Sequence, residues 1–231
     1  MSKPVLLMLP GFDGTGDLFK PLVTALGDAV DCLPVAYQDF PNLAGYEQYV
    51  LDICPQDRPV VLLAESFSGP IGLNVLAQAP ANFIGGVFSA TFAKPPLALI
   101  ISLAEKLKLA SLTLPGVSEQ ILRWFCLNGV RDIGLIRDIT AVVRAVEPET
   151  VQSRLSALTT MDAGDAVCSI EVPIMTFAAS QDRIIRRRYM QSLLDAGSHR
   201  QHEVIDGPHL LLQASADQSA AKIVEFIANI T

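Results

Sequence analysis

Residues 60–73 read VVLLAESFSGPIGL, and their reading decides the fold. A run of apolar residues with β-branched members, Val60 to Ala64, has the length and composition of a buried strand. Two residues later comes Ser66, and a helical pattern begins at once, over about 68–79. A strand, a tight turn carrying a serine and a helix are the parts of a nucleophile elbow, whose usual pentapeptide is G-x-S-x-G. Here the pentapeptide is Ala64-Glu65-Ser66-Phe67-Ser68, without either glycine. Ala64 and Ser68 are still small, Gly69 follows, and Pro70 suits the first turn of a helix, where a missing N–H costs nothing. The competing reading is that Ser66 or Ser68 caps the helix.

Working outward, similar short apolar runs recur at Val5 to Leu9, Asp31 to Ala36, Gly86 to Ala90, Pro173 to Ala178 and Glu203 to Ile205. Helical patterns lie between them, over about 18–28, 43–53, 186–196 and 214–229. Strands alternating with helices predict an α/β architecture, a doubly wound, mostly parallel sheet of about six strands. Ligands of such sheets bind at the carboxyl ends of the strands. The alternation fails between the fourth and fifth strands. There LALIISLAEKLK, SEQILRWFCL, IGLIRDITAVVRAV and ETVQSRLSALTT all read as helices, which predicts a helical cap over 93–165 inserted into a core of 1–92 and 166–231. Acidic and basic residues balance in the insert, so the chain's formal net charge of −7 resides in the core.

Bulk properties exclude several classes. An acidic chain without a basic tail is a poor nucleic-acid binder. No apolar stretch is long enough to cross a membrane. MSKPVLLMLPGFDG is broken by Pro10 and Gly11 too early for a signal-peptide core and reads as the first strand. Cys32, Cys54, Cys126 and Cys168 are scattered, which fits a reducing, cytoplasmic setting and neither a disulfide framework nor a zinc site. Three histidines and no clustered ligands call for no metal, and no motif calls for a cofactor.

A serine needs a base, and the base needs an acid to fix its tautomer. Of the histidines, His199 and His202 sit in the polar connection SHRQHEV, whereas His209, in VIDGPHLLLQ, directly follows the last strand and a Gly-Pro turn. Asp182 follows the fifth strand, in ASQDRI. Asp206 is a rival acid, but it is three residues from His209 and of a type that forms Asx turns. Asp162 and Asp165 are less well placed. The first strand leads into LPGFDGTGDLF, residues 9–19, where Gly11, Gly14 and Gly16 free the backbone to offer N–H groups to an oxyanion, with Phe12 supplying one by position and Phe67 another. The loop lacks the G-K-[ST] ending of a phosphate-binding loop and the spacing of a dinucleotide fingerprint.

With these residues in hand, the chain resembles the α/β-hydrolase superfamily over nearly its whole length. LPGFDGTG and AESFSGP are particularly similar to the hydrolase portion of phytyl ester synthase-like proteins, and size and cap placement are similar to small bacterial esterases of the pimeloyl-carrier methyl ester esterase type. The resemblance implies a catalytic serine at Ser66, an acid at Asp182, a base at His209 and backbone oxyanion donors at Phe12 and Phe67. It departs from the family in Pro10-Gly11, where His-Gly is common, in the elbow glycines, and in leaving no room before Val5 for two leading antiparallel strands. The implied activity is a carboxylesterase acting on a small or medium hydrophobic acyl ester. The alternatives are an acyl-thioester hydrolase or acyltransferase, with an acyl carrier protein as a partner for Arg123, Arg131, Arg137, Arg144 and Arg186–Arg188, and a binding protein that has lost catalysis. The leucine- and isoleucine-rich cap, with Trp124 and Phe125, suits a hydrophobic substrate.

Overall fold

A computed structural model describes residues 3–78, 80–95, 115–190, 193 and 200–231. Six strands form one sheet in the order β2-β1-β3-β4-β5-β6, every neighbouring pair parallel. They are β1 (Val5–Leu9), β2 (Asp31–Pro34), β3 (Val60–Glu65), β4 (Phe83–Ser89), β5 (Ile174–Ala179) and β6 (Arg200–Ile205). β1 and β3 are buried at every position, as expected of strands covered by helices on both faces. Leu7, Leu9, Leu62, Ala64 and Phe88 face one side, towards helices α2 (Leu43–Ile53) and α3 (Gly69–Ala77). Leu6, Met8, Val61, Leu63 and Val87 face the other, towards α1 (Lys20–Leu26).

The chain winds from β1 to β2 in one direction, then crosses to β3 on the far side of β1 and continues outward. Strand order therefore reverses between β1 and β3, and that crevice is where open α/β sheets bind ligands. The register pairs Leu9 with Ala64, so the loops that begin at Pro10 and Ser66 leave the sheet side by side.

Some boundaries differ from the sequence expectation for a physical reason. β6 begins at Arg200 rather than Glu203, because it is the edge strand and RQHEVI is only partly buried, which leaves no apolar run to read. β4 begins three residues early, at Phe83, and β2 stops at Pro34. The C-terminal helical pattern is split by Ser215 into α7 (Leu211–Ala214) and α8 (Ala216–Ile230), which packs on α1.

Between β4 and β5 the described residues contain three helices, which we number α4 (Pro115–Cys126), α5 (Ile133–Arg144) and α6 (Pro148–Leu158), so α7 and α8 keep chain order. The Asp132 carboxylate caps α5 by accepting from the Leu135 N–H at 3.1 Å, and Pro148 occupies the first turn of α6. Ile136 and Ile139 of α5 pack with Leu18 and Leu127, and Ala157 and Leu158 of α6 join the core beside Phe92. The helix read over LALIISLAEKLK, His199 and residues 191, 192 and 194–196 of the helix expected over 186–196 lie outside the described residues; within that last span, Arg187–Met190 is a short 3-10 turn.

Candidate active site

Ser66 sits on the turn between β3 and α3 with φ of 48°, a left-handed conformation that a non-glycine residue adopts only when its surroundings hold it there. Ala90, at the end of the neighbouring β4, has φ of 45° and delivers Thr91, whose hydroxyl donates to the Ser66 carbonyl oxygen. No side-chain hydrogen bond caps the helix at Ser66 or Ser68, so the capping reading has no support.

The missing elbow glycines are compensated by neighbours. Ser68 is fully buried, and its hydroxyl bonds the Pro10 carbonyl oxygen and the Tyr37 hydroxyl, the latter at 2.7 Å. The close approach of helix to sheet is made one residue later. A Cβ on Gly69 would stand 1.9 Å from Thr91 Oγ1, and one on Gly72 would stand 2.8 Å from Leu62 Cδ2 and 3.1 Å from Ala64 Cβ.

Residues from three strand ends meet at this turn. Ser66 Oγ lies 3.1 Å from His209 Nε2, and His209 Nδ1 lies 2.9 Å from Asp182 Oδ2. The other Asp182 oxygen accepts the N–H groups of Ile184 (2.7 Å) and Ile185 (2.8 Å), which fixes the carboxylate. With Nδ1–H given to Asp182, Nε2 is left as the acceptor facing Ser66. Burial opposes a charge on His209, but the Asp182 charge and hydrogen bond, aided by Glu65, outweigh it and hold the imidazole pKa above its usual value. Asp206 is turned elsewhere and accepts from Ser180 and Gln181. Asp162 pairs with Lys94 at the surface, and His202 bonds Thr176 at the outer strands.

The 11–16 loop passes over the serine: a Cβ on Gly11 would be 3.9 Å from Ser66 Cβ. Phe12 and Phe67, whose N–H groups the sequence marks as anion donors, pack edge to face at 5.8 Å. Gly14 and Gly16 take the left-handed φ values of 68° and 75° that the loop requires.

Ser66 and His209 open into a cavity of about 180 Å³ whose described lining is mostly apolar. The insert contributes Leu122, Cys126, Val143, Val146, Val151 and Leu158 to it. Trp124 does not line it; the indole faces outward, 63% exposed, beneath the Arg183 guanidinium. Arg123, Arg131, Arg137, Arg144 and Arg186–Arg188 are all exposed.

Two functional candidates escaped the sequence reading. Glu65, the residue before the serine, is 2% exposed and lines the cavity, with one oxygen accepting from Gln213 at 3.2 Å and the other unpartnered. Burial, together with the Asp13 carboxylate, pushes its pKa up to about 7. A charged residue ending an otherwise apolar strand was the available signal. Arg154, on α6, is also buried and reaches the 11–16 loop. Nothing in its amphipathic surroundings distinguished it from the exposed arginines.

Among the described residues, no group of histidine, cysteine and acidic side chains could hold a metal ion, Cys32, Cys54 and Cys168 are free, and no helix is long and apolar enough to cross a membrane.

Residues 6–222 match the sequence model of the Alpha/beta hydrolase family. Phytyl ester synthase 1, chloroplastic, from Arabidopsis thaliana is 37% identical over 85 residues, which span 33% of this chain but only 12% of that protein. Among solved structures, a thermophilic esterase from Thermogutta terrifontis superposes with a TM-score of 0.79 at 17% identity, covering 100% of this chain and 91% of that one. The enol-lactonase from Burkholderia xenovorans gives 0.81 at 15% (99% and 92%), and an esterase from Exiguobacterium antarcticum gives 0.83 at 14% (98% and 92%). At these identities the structural likeness speaks to the fold.

Proposed function

The chain belongs to the alpha/beta hydrolase family, and from that premise we propose that it is a serine hydrolase of the carboxylesterase type, cleaving esters of small or medium hydrophobic acyl groups. The observation that carries this reading is the hydrogen-bonded series Asp182–His209–Ser66 opening into an apolar cavity. His209 Nε2 takes the Ser66 proton as Oγ attacks the ester carbonyl carbon. The tetrahedral oxyanion is held by the N–H groups of Phe12 and Phe67. Asp182 stabilises the imidazolium and keeps its tautomer. His209 then protonates the departing alkoxide, leaving an acyl-serine. Water, deprotonated by the same histidine, attacks that acyl carbon and releases the acid.

In this reading residues 93–165 form a cap whose inner faces bound the acyl pocket, over a core of 1–92 and 166–231. The free thiols of Cys32, Cys54 and Cys168 fit a reducing, cytoplasmic setting. The test is hydrolysis of p-nitrophenyl esters from acetyl to long acyl chains by wild type and Ser66→Ala. Turnover abolished by the substitution supports the serine mechanism, and its chain-length optimum sizes the pocket; equal turnover in both proteins refutes the assignment. Acyl thioesters, and added alcohols as acceptors, run in the same series separate hydrolysis of esters from thioester cleavage or acyl transfer.

A further inference from the structure

Arg154 is 3% exposed, yet it belongs to the inserted helix α6. One guanidinium nitrogen, Nη1, donates to the carbonyl oxygens of Phe12, at 2.9 Å, and of Asp13. The other terminal nitrogen lies 3.1 Å from Asp39 Oδ1, and Asp39 also accepts from Thr150, one turn earlier on the same helix. The guanidinium rests against Gly14: a Cβ there would fall 2.4 Å from Arg154 Cζ, Nη1 and Nη2. So Gly14 is required both by its φ of 68° and by the arginine that occupies the side-chain position.

An ion pair between a buried guanidinium and an exposed carboxylate is weak ground for stability, since the arginine is desolvated while solvent screens the attraction. What this one fixes is direction. The Gly14 N–H donates to the Gly11 carbonyl at 3.1 Å, closing the turn that Arg154 packs on, and the Gly14 carbonyl accepts from Tyr37 N–H at 2.8 Å. Peptide planes are trans, so the Phe12 N–H points opposite to the Gly11 carbonyl. Holding Gly14 and the two carbonyls that follow Phe12 N–H therefore sets the aim of that N–H.

We propose that Arg154 is a positioning residue for the oxyanion site: from the inserted helix it locks the 11–14 turn and so presents the Phe12 N–H to the negative charge that develops above Ser66. The inference rests on the serine-hydrolase reading, and it makes the oxyanion site a joint product of the core and the insert. Loss of one oxyanion donor costs ~10²–10³ in turnover, and a displacement of about 1 Å costs ~10².

The experiment compares wild type with Arg154→Lys, Arg154→Ala and Asp39→Asn, using kcat and KM on the best p-nitrophenyl ester. It also measures affinity for an alkyl trifluoromethyl ketone, which forms a tetrahedral adduct on the serine, and for the n-alkanol of the same chain length, which does not. We expect kcat/KM to fall ~10²-fold in Arg154→Ala, mostly in kcat. Ketone affinity should fall by the same factor while alkanol affinity holds, and guanidinium at millimolar concentration should restore part of the lost kcat. Arg154→Lys and Asp39→Asn, which disturb the packing least, should show smaller losses of the same pattern. A lower melting temperature with unchanged kcat and ketone affinity per folded protein would reduce Arg154 to a structural role and overturn the proposal. Equal weakening of ketone and alkanol would also overturn it, as a general collapse of the pocket. A wild type that neither hydrolyses esters nor binds the ketone would instead overturn the serine-hydrolase reading itself, and this inference with it.

Discussion

Replacing Glu65 by glutamine should stabilise the protein, and by an amount that depends on pH. Glu65 is the one charged residue in the four central strands, β1, β3, β4 and β5. Its burial, reinforced by the Asp13 carboxylate, raises its pKa from 4.5 to about 7. A carboxyl that is more basic in the folded chain binds its proton more tightly there. Stability on this account is greatest below the unfolded pKa and falls as pH rises from 4.5 to about 7, where the folded group ionises. One pKa unit corresponds to ~1.4 kcal/mol, so the full cost is about 3 kcal/mol above pH 8 and under about 1 kcal/mol at pH 5. Glutamine is nearly isosteric, carries no charge, and can exchange amide hydrogen bonds with Gln213, whose own oxygen is unpartnered. Glu65→Gln should therefore raise the melting temperature by about 6–12 °C at pH 8, at ~2–4 °C per kcal/mol for a chain of this size, and by far less at pH 5. Urea titrations at the two pH values give the same comparison as free energies. The same substitution removes an anion that raises the His209 pKa, so the acid limb of kcat/KM should move to lower pH. Equal stabilisation at both pH values, or a loss at pH 8, would refute the reasoning, because either would mean that Glu65 does not become a buried carboxylate.

Because His209 is held above its usual value, half-maximal kcat/KM in wild type should fall above pH 6.5 in a rate profile, and Asp182→Asn should lower kcat by ~10⁴ by releasing the tautomer. The left-handed backbone at Ser66 costs ~1–2 kcal/mol for a residue with a Cβ, so Ser66→Gly should unfold at higher denaturant than Ser66→Ala although both are inactive. Gly69→Ala should destabilise by ~1–3 kcal/mol and also lower kcat, since the new methyl displaces the Thr91 hydroxyl that holds the elbow. Gly27→Ala is the control: its φ is 51°, but nothing lies within 4 Å, so calorimetry should register only a backbone cost of ~1–3 kcal/mol and assays no change in kcat.

The sheet was legible because its inner strands are covered on both faces, which forces uninterrupted apolar runs such as VLLML and VVLLAE. β6 was legible only at its end, because an edge strand tolerates Arg200, Gln201 and Glu203. Ser66, Asp182 and His209 could be grouped because each follows a strand, and a parallel sheet gathers such positions at one edge, where the three are hydrogen-bonded in series. Arg154 could not be found this way. Its partners are the backbone carbonyls of Phe12 and Asp13, about 140 residues away, and a carbonyl leaves no mark in the sequence. The elbow's pentapeptide carries neither of its usual glycines. Its glycine requirement is met at Gly69 and Gly72, outside the usual pentapeptide.

The order of strands has a consequence for how the chain acquires activity. β3 adds to the free edge of β1, and each later strand adds to the outer edge of the one before, so from β3 on the sheet grows in the direction of synthesis. Ser66 and its loop partner at Gly11 belong to the first half of the chain, whereas His209, 143 residues beyond the serine, follows the last strand to dock. Contacts of such sequence separation form late, because chain closure precedes any gain from them. On the serine-hydrolase reading, a chain emerging from the ribosome thus carries an elbow serine that stays unreactive until the outermost strand is in place. In refolding, ester turnover should trail the recovery of secondary structure, marking the moment at which the far edge of the sheet closes.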